Sequence, residues 1–286
     1  MNICRGINRC FFGVLRFGSR LVGNDESISD GPVLMKILDK ICVTIAIIKT
    51  AWIVTFFFTI QLPFEYQRID FFPYFCIRLF IGLWLTYSVP YHFWKARQAK
   101  PISLPQKTST GRNCTFCSRS KPSLTSHCRT CDTCIYRRDH HCPWLGQCVG
   151  IHNQANFFLF LFNVFLSTVL VLYVEFEFWV ENWMTFMEGY DSKLLNPDSM
   201  KYSIFTISIT ISLHLIMISF VVTYVFLVSG GFSIIDSLLQ KEGAKPMSLS
   251  IIRKRWNQYL TVRRNDSIIR ALFVPSDRTV RSLNFN

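Results

Sequence analysis

The chain has 286 residues, of which 50% are hydrophobic and 15% aromatic, while only 17% are charged. A mean hydropathy of +0.26 with so few charges is unusual for a soluble globular domain and indicates a membrane protein. The formal net charge of +13 could serve to bind nucleic acid, to bind anionic lipid or to orient a protein in the membrane. The distribution of the charge along the chain decides among the three.

Four apolar stretches are long enough to span a bilayer, which takes roughly 20 helical residues. In chain order they are Ile41–Leu62, Phe71–Phe93, Asn156–Trp179 and Ile204–Val228. Lys49, Arg78 and His214 lie inside these stretches. We interpret these three side chains as helix-packing or snorkelling groups rather than catalytic ones.

Lys and Arg are distributed unevenly among the segments outside these spans. Residues 1–40, 94–155 and 229–286 hold six, ten and ten of the 31 basic residues, whereas the two other loops hold one and two. Because cytosolic loops have the excess of Lys and Arg, both termini and residues 94–155 are predicted to face the cytosol. This topology accounts for most of the positive charge, so no nucleic-acid partner is required.

The spans and loops together predict five regions. These are a cytosolic N-terminal segment (1–40), a first transmembrane helix pair (41–93), a cytosolic linker and Cys-rich domain (94–155), a second transmembrane helix pair with a lumenal loop (156–228) and a cytosolic C-terminal tail (229–286). We find no internal repeat in the sequence.

Cysteine is concentrated in the Cys-rich domain. Seven of the eleven Cys lie between positions 114 and 148. The histidines near them are His127, His140, His141 and His152. Three overlapping Cys-x2-Cys steps start at Cys114, Cys128 and Cys131, a spacing at which a tight turn presents two thiolates to one tetrahedral zinc ion. Such a cluster is typical of metal binding in a reducing compartment.

The candidate ligands outnumber those that two zinc sites need. Seven Cys and four His give eleven candidates, and two closed tetrahedral sites use eight of them. A Cys and a His left over together form a nucleophile with its base. The pattern is equally consistent with a purely structural role for all of them, or with one Cys that is merely spare.

The segment Cys114–Phe157 has the spacing C-x2-C-x3-K-P-x4-H-C-x2-C-x2-C-x4-D-H-H-C-x5-C, followed by Val149-Gly150, Asn153 and Phe157. With the DHHC tetrad at residues 139–142, it resembles the cysteine-rich domain of DHHC-type protein S-acyltransferases, the palmitoyltransferases. The resemblance implies an all-α integral membrane protein with four transmembrane helices. It also implies a cytosolic, zinc-stapled DHHC module of irregular structure between the second and the third helix.

The resemblance implies a role for each residue of the motif. It places Cys114, Cys117, His127 and Cys134 on one structural zinc ion, and Cys128, Cys131, His141 and Cys148 on the other. Cys142 is then the acyl-accepting nucleophile, His140 its general base, and Asp139 the residue that orients the His140 ring. His152 is left over and is interpreted as a solvated or interfacial histidine.

The implied activity is that of a protein S-palmitoyltransferase. A long-chain acyl group would move from palmitoyl-CoA, or another acyl-CoA, to Cys142 and then to cysteines of membrane-associated substrate proteins. Burying the acyl chain is worth about 0.8 kcal/mol per CH2, which favours a cavity among the spans. The Phe-rich third span is a candidate lining, although contact with lipid is the simpler interpretation of any single Phe ring. The resemblance places the protein in the endoplasmic reticulum or the Golgi.

Two other functions are consistent with parts of the pattern. A catalytically inactive zinc-containing membrane scaffold has no need of the intact Asp139, His140 and Cys142. A membrane-tethered zinc module for nucleic acid lacks a basic stripe beyond the charge that the topology explains.

The chain also departs from the family. It lacks Asp-Pro-Gly after the second span and Thr-Thr-x-Glu after the fourth, where it reads RQAKPISLPQ and SGGFSIIDSLLQ. These elements pack the module against the membrane domain in the family. How the module docks in this chain is therefore left open by the sequence.

Overall fold

A computed structural model describes residues 31–63, 66, 72–104, 112–118, 120–122, 124–187, 197–230, 248–260 and 267–280. The predicted N-terminal segment as far as residue 30 and the predicted lumenal loop at 188–196 lie outside these residues. The same holds for the region after Gly230 where the Thr-Thr-x-Glu element is missing.

Four long helices dominate the described chain. They are α1 Gly31–Phe56, α2 Phe72–Gln98, α3 Gln154–Met187 and α4 Pro197–Gly230. Each contains a stretch that is long and apolar enough to cross a membrane: Val33–Ile60, Phe72–Gln98, Gln154–Val180 and Lys201–Gly230. The prediction of four helical spans is confirmed at the level of length and composition.

Helix α1 begins well before the predicted first span. It starts at Gly31, ahead of Ile41, and continues without a break through a π-helical turn at Phe57–Gln61. Charged residues such as Asp39 and Lys40 interrupt the hydropathy of this stretch. They do not interrupt the backbone hydrogen bonds that define the helix, and Asp39 therefore lies on the same helix as the first span.

Arg78 has a partner that its sequence position does not reveal. Its Nη1 lies 2.7 Å from Oε2 of Glu177, so that α2 and α3 are joined by an ion pair. The rings of Tyr74 and Tyr173 lie 4.3 and 4.8 Å from its guanidinium carbon. Because a charge is costly in an apolar environment unless it is paired, this contact identifies Arg78 as a helix-packing residue.

His214 and Lys49 have different environments. His214 Nδ1 lies 2.9 Å from Thr168 Oγ1, and its ring stacks on that of Phe165, so His214 joins α4 to α3. Lys49 is exposed on α1. The helix-packing interpretation therefore holds for His214, and the exposure of Lys49 agrees with a snorkelling side chain.

The Cys-rich module consists of three antiparallel hairpins that lie between α2 and α3 in chain order. Hairpin 1 pairs β1 Arg112–Asn113 with β2 Ser120–Lys121, hairpin 2 pairs β3 Thr125–Cys128 with β4 Thr133–Tyr136, and hairpin 3 pairs β5 Arg138–Cys142 with β6 Gln147–Gly150. The expectation of an irregular module in an all-α protein was therefore wrong for this segment. Strands of two to five residues that are rich in Cys, His and Thr lack the hydrophobic alternation by which strands are predicted.

After α4, the described residues 248–260 and 267–280 include two short helices. These are α5 Leu249–Tyr259 and α6 Ile268–Phe273, each capped by a serine whose hydroxyl accepts a backbone N–H, Ser248 and Ser267. Trp256 Nε1 of α5 donates to Ser229 Oγ at the end of α4 over 3.2 Å. Trp84 Nε1 of α2 donates to the carbonyl of Phe273 over 3.0 Å. Helices α5 and α6 are thereby held against the long helices.

Candidate metal centres and free cysteine

The structure brings eight Cys and His side chains together as two groups of four. The distal cluster comprises Cys114, Cys117, His127 and Cys134, and the proximal cluster comprises Cys128, Cys131, His141 and Cys148. The names refer to their distance along the chain from Cys142. In each cluster the four candidate ligand atoms lie within 4.8 Å of one another.

The separations of the sulfur atoms fit a tetrahedral zinc ion. Cys117 and Cys134 Sγ are 3.6 Å apart in the distal cluster, and Cys131 and Cys148 Sγ are 3.8 Å apart in the proximal cluster. Zn–S bonds of about 2.3 Å at tetrahedral angles place two sulfurs about 3.8 Å apart. Three thiolates and one imidazole are also a donor set of structural zinc sites.

The same ring nitrogen faces the thiols in both clusters. His127 Nδ1 lies 3.8 Å from Cys134 Sγ. His141 Nδ1 lies 3.3 Å from Cys131 Sγ, and 3.6 and 3.7 Å from the sulfurs of Cys128 and Cys148. In each cluster, the other ring nitrogen of the histidine, Nε2, therefore points away from the thiols and can contact a residue outside the cluster.

The Cys-x2-Cys turns favour the thiolate form that binds metal. The backbone N–H of Cys131 donates to Cys128 Sγ over 3.5 Å. The backbone N–H of Cys117 has the largest influence on Cys114 and lowers the pKa of its thiol to about 7. Because the thiolate is the ligand, turns of this kind prepare both pairs of sulfurs for a cation.

The three hairpins repeat one structural unit, so the expectation of a chain without an internal repeat was wrong for this segment. The cross-strand pairs Asn113 with Ser120, His127 with Cys134, and His141 with Cys148 occupy the same register. Ser118, Asp132 and Gly146 occupy the same place in the three turns, with positive φ angles of 53°, 50° and 68°. These positions recur every fourteen residues. Few of the intervening side chains agree between copies, and the repeat is therefore visible only once the register is known.

Each cluster is built from two successive hairpins. The turn of hairpin 1 supplies two cysteines and hairpin 2 supplies a cross-strand His–Cys pair to the distal cluster. The turn of hairpin 2 and the cross-strand pair of hairpin 3 form the proximal cluster in the same way.

Cys142 belongs to neither cluster. In hairpin 3 it occupies the position that Cys128 has in hairpin 2, but the second cysteine of the turn is replaced by Leu145. Leu145 is 1% exposed and packs in an apolar cluster with Cys142 and Phe157. The turn of hairpin 3 therefore holds a single buried thiol.

His140 and Asp139 lie next to this thiol. His140 Nδ1 is 3.4 Å from Asp139 Oδ2, a charge contact that lacks the alignment of a hydrogen bond. Burial acts to lower the pKa of His140, but the neighbouring Asp139 and Cys142 outweigh it and raise the pKa to about 9. A proton on this imidazole is thus stabilised by two groups that carry or develop negative charge.

Tyr224 is a member of this site that the sequence did not suggest. It lies on α4, and its hydroxyl donates to Asp139 Oδ2 over 2.9 Å in a buried environment. The tyrosine is 85 residues from its partner along the chain, in an apolar stretch, with no local signal of a polar role. Tyr224 therefore holds the Asp139 carboxylate from the side of α4.

The module is docked on α2 without the Asp-Pro-Gly element. Arg97 Nη1 donates to the carbonyl of Leu145 over 2.6 Å. The side-chain amides of Gln147 and Asn153 both donate to the carbonyl of Ala96, the latter over 3.1 Å. The end of α2 is therefore held directly by hairpin 3 and the turn that follows it.

His152 is not solvated. It is 1% exposed, and its burial lowers its pKa to about 4, so that the ring is neutral at pH 7. Its carbonyl accepts the N–H of Val280 over 3.1 Å. The interpretation as a solvated or interfacial histidine was wrong, because the residue is buried inside the protein.

Four helices of membrane-spanning character and a hairpin module with two Cys3His clusters define the protein's class, a membrane protein with a Cys-rich metal-site module. Residues 107–240 match the family model described as DHHC palmitoyltransferase. The resemblance of the central motif to DHHC palmitoyltransferases is thereby confirmed for this part of the chain.

Several curated proteins are similar to this chain. It is 31% identical over 126 residues to probable protein S-acyltransferase 13 of Arabidopsis thaliana, covering 44% of this chain and 41% of that protein. It is 30% identical over 156 residues to probable protein S-acyltransferase 12 of the same species, covering 52% of each. It is 36% identical over 89 residues to palmitoyltransferase ZDHHC2 of Homo sapiens, covering 30% of this chain and 24% of that protein. The matches thus span about a quarter to a half of the relatives' lengths.

Proposed function

We propose that the protein is a protein-cysteine S-acyltransferase that forms a thioester with an acyl group at Cys142. The position of this thiol is the observation that supports the proposal. It lies outside both clusters of candidate ligands and adjoins His140 and Asp139. It is also buried in the apolar cluster where hairpin 3 meets the long helices.

In this proposal the two clusters hold structural zinc ions. With four protein ligands each, the distal and proximal clusters leave no coordination position for a substrate. Bound zinc would supply folding free energy to a module whose strands are too short to hold themselves together. The residues of hairpin 3 would thereby be fixed relative to one another while Cys142 remains unligated.

The transfer would proceed in two steps that both use Cys142. Its thiolate attacks the thioester carbonyl carbon of an acyl-CoA, the bond between that carbon and the CoA sulfur breaks, and CoA leaves with a proton from His140. A substrate cysteine then gives its proton to His140 and attacks the acyl-Cys142 thioester, which releases Cys142 as a thiolate. Asp139 would hold the His140 ring, and Tyr224 would hold Asp139.

A cavity among the four long helices supports the proposal that the substrate contains an acyl chain. It measures about 410 Å³, within the range of about 300–1,000 Å³ of ligand pockets. Its lining is almost entirely apolar and comes from all four long helices. Phe93, Phe160 and Leu213 line the cavity and also pack against the apolar cluster that contains Cys142. Each methylene placed there would contribute about 0.8 kcal/mol.

The Phe-rich third span contributes less to this lining than its composition suggests. Phe160 is the phenylalanine of α3 that borders the cavity, whereas Phe176 is 65% exposed. The simpler interpretation, contact with lipid, therefore applies to rings such as Phe176.

We further propose the membrane placement that the distribution of Lys and Arg predicts. The module and both termini would face the cytosol, where thiols stay reduced, and the five regions would keep their predicted boundaries. Membrane-associated proteins with cytosolic cysteines would be the acceptors. Residence in the endoplasmic reticulum or the Golgi belongs to the same proposal and is supported by the resemblance to DHHC palmitoyltransferases.

Labelling with palmitoyl-CoA tests the proposal. Purified protein incubated with labelled palmitoyl-CoA should acquire hydroxylamine-sensitive label, because a thioester is cleaved by hydroxylamine. Cys142→Ser should abolish the label, while Cys76→Ser, a change to an exposed thiol of α2, should leave it unchanged. Both variants should keep two zinc ions per chain.

Unchanged labelling of Cys142→Ser would reject Cys142 as the nucleophile. Two zinc ions per chain without any label on the unmodified protein would instead favour the inactive scaffold. A clear stoichiometry of one zinc ion would refute the assignment of the ligands.

A further inference from the structure

One carboxylate of the first long helix reaches the proximal cluster. The two carboxylate oxygens of Asp39 lie 3.2 and 3.1 Å from His141 Nε2, on the opposite side of the ring from the three thiols. The side chains of Asp39 and His141 are each 11% exposed. We propose that Asp39 is a positioning residue for the metal ion of the proximal cluster, acting through His141.

The chemistry of the contact fixes the histidine tautomer. A carboxylate can only accept a hydrogen bond, so Nε2 carries the hydrogen and donates it to Asp39. Nδ1 is then the lone-pair nitrogen, and it faces Cys131 Sγ at 3.3 Å. A carboxylate behind a metal-binding imidazole in this way orients the ring and raises its basicity.

The distal cluster lacks an equivalent partner in the part of the chain that the structure describes. His127 Nε2 lies 3.7 Å from Asp132 Oδ1, beyond hydrogen-bonding distance, and the Asp132 side chain is 84% exposed. A water-exposed charge contact of this kind contributes little. Asp39 and Asp132 can therefore be compared directly: each faces the Nε2 atom of a cluster histidine, but Asp39 is buried and within hydrogen-bonding distance, whereas Asp132 is exposed and farther away.

The same helix also contacts the turn that contains the free thiol. A methyl of Val43, one helical turn after Asp39, lies 3.5 Å from where a Cβ on Gly146 would stand. Asp39 and Val43 together place α1 against hairpin 3 on both sides of Cys142 in the chain. Through Asp39, the first membrane helix would thus set the orientation of a metal ligand in the hairpin that holds the nucleophile.

This inference rests on the zinc assignment within the proposed function, and it is independent of the transfer reaction. The test uses the full-length protein and the variants Asp39→Asn and Asp132→Asn, which exchange each carboxylate for a group of the same shape. Zinc release into excess chelator is followed with a metal indicator. We expect one of the two zinc ions to leave about 10- to 100-fold faster from Asp39→Asn. Asp132→Asn should release both at the unmodified rate.

A second readout locates the site that has changed. Cysteines are alkylated during the chelation and identified by mass spectrometry. In Asp39→Asn, Cys131 and Cys148 should react early while Cys114 and Cys117 stay protected. Asp39→Glu, which keeps a carboxylate, should move the release rate back toward that of the unmodified protein.

Two outcomes would overturn the inference alone. One is unchanged release from Asp39→Asn. The other is simultaneous alkylation of both clusters, which is the result expected if Asp39 merely supports the fold of the whole module. Absence of zinc from the unmodified protein would overturn the zinc assignment as well, whereas zinc retention without acyl labelling would refute only the transfer reaction.

Discussion

Hairpins 2 and 3 have the same register next to their turns but differ in the chemistry of those turns. Both begin their turns with a His–Cys dipeptide, both pair that histidine with a cysteine across the strands, and both end the turn with a left-handed residue. Ile135 and Val149 occupy the same buried place in the two copies, at 1% and 0% exposure. Cys131 is replaced by Leu145. One side chain therefore separates a Cys-x2-Cys turn that offers two thiols to a metal from a turn with a single free thiol.

The surroundings of the two turns differ as well. The turn of hairpin 2 ends at the exposed Asp132. The turn of hairpin 3 is enclosed by the long helices, with Arg97 of α2 bonded to Leu145 and Val43 of α1 against Gly146. The repeat therefore supplies the geometry, and the long helices supply the environment of the free thiol.

The largest effect should follow when hairpin 2 is made to copy hairpin 3. Cys131→Leu removes one sulfur from the proximal cluster, which should lose its zinc ion because three ligands remain. Structural zinc contributes about 10–16 kcal/mol to zinc-finger folding, so the module should also become sensitive to protease. Zinc per chain should fall from two to one. Retention of two zinc ions would show that Cys131 is dispensable and that the two turns differ for another reason.

A smaller effect is expected at the hydrogen bond that Tyr224 of α4 donates to the Asp139 carboxylate of hairpin 3. Tyr224→Phe removes the hydrogen bond to Asp139 and should lower the rate of acyl transfer about 10-fold, equivalent to about 1.4 kcal/mol, with unchanged zinc content. Tyr259→Phe is the control, since the hydroxyl of Tyr259 is buried and makes no hydrogen bond within the described residues. Equal rates for the two variants would exclude a positioning role for Tyr224.

An effect of similar size, on stability rather than on rate, is expected at the left-handed residue that closes each turn. Gly146→Ala places a side chain at a φ of 68°, and its Cβ would stand 2.8 Å from Arg97 Nη1. We expect a loss of about 1–2 kcal/mol in the free energy of unfolding, seen as a lower midpoint of thermal unfolding. Asp132→Ala should cost less because the position is exposed and already holds a residue with a Cβ. The reverse order of the two midpoints would contradict the enclosed environment of hairpin 3.

Much of the fold was predictable because its signals are local. Four apolar stretches of sufficient length predicted four long helices, and closely spaced Cys-x2-Cys steps predicted metal sites. The division of the ligands into two sets followed from the family resemblance, and the structure places the same residues together. Such features depend on neighbours within one helix or a few hairpins.

The contacts that complete the site were not predictable, because their partners are far apart in the chain. Asp139 and Tyr224 are separated by 85 residues, Arg78 and Glu177 by 99, and Asp39 and His141 by 102. A charge inside or beside an apolar stretch indicates that a partner exists, but the sequence does not name it. The burial of His152 also escaped prediction, and the contact recorded for its carbonyl is likewise with a distant residue, Val280, which lies beyond the last long helix.

The contact between Asp39 and His141 has a consequence for how this protein is made. Asp39 is synthesised long before His141. The helix that contains Asp39 enters the bilayer before the module has been synthesised. Native contacts between such distant residues form late, because a long loop must first be closed. The metal site next to the reactive thiol would therefore reach its final geometry only after the first helix is in the bilayer, which ties completion of the site to membrane insertion. A peptide excised as the module alone would lack this last step.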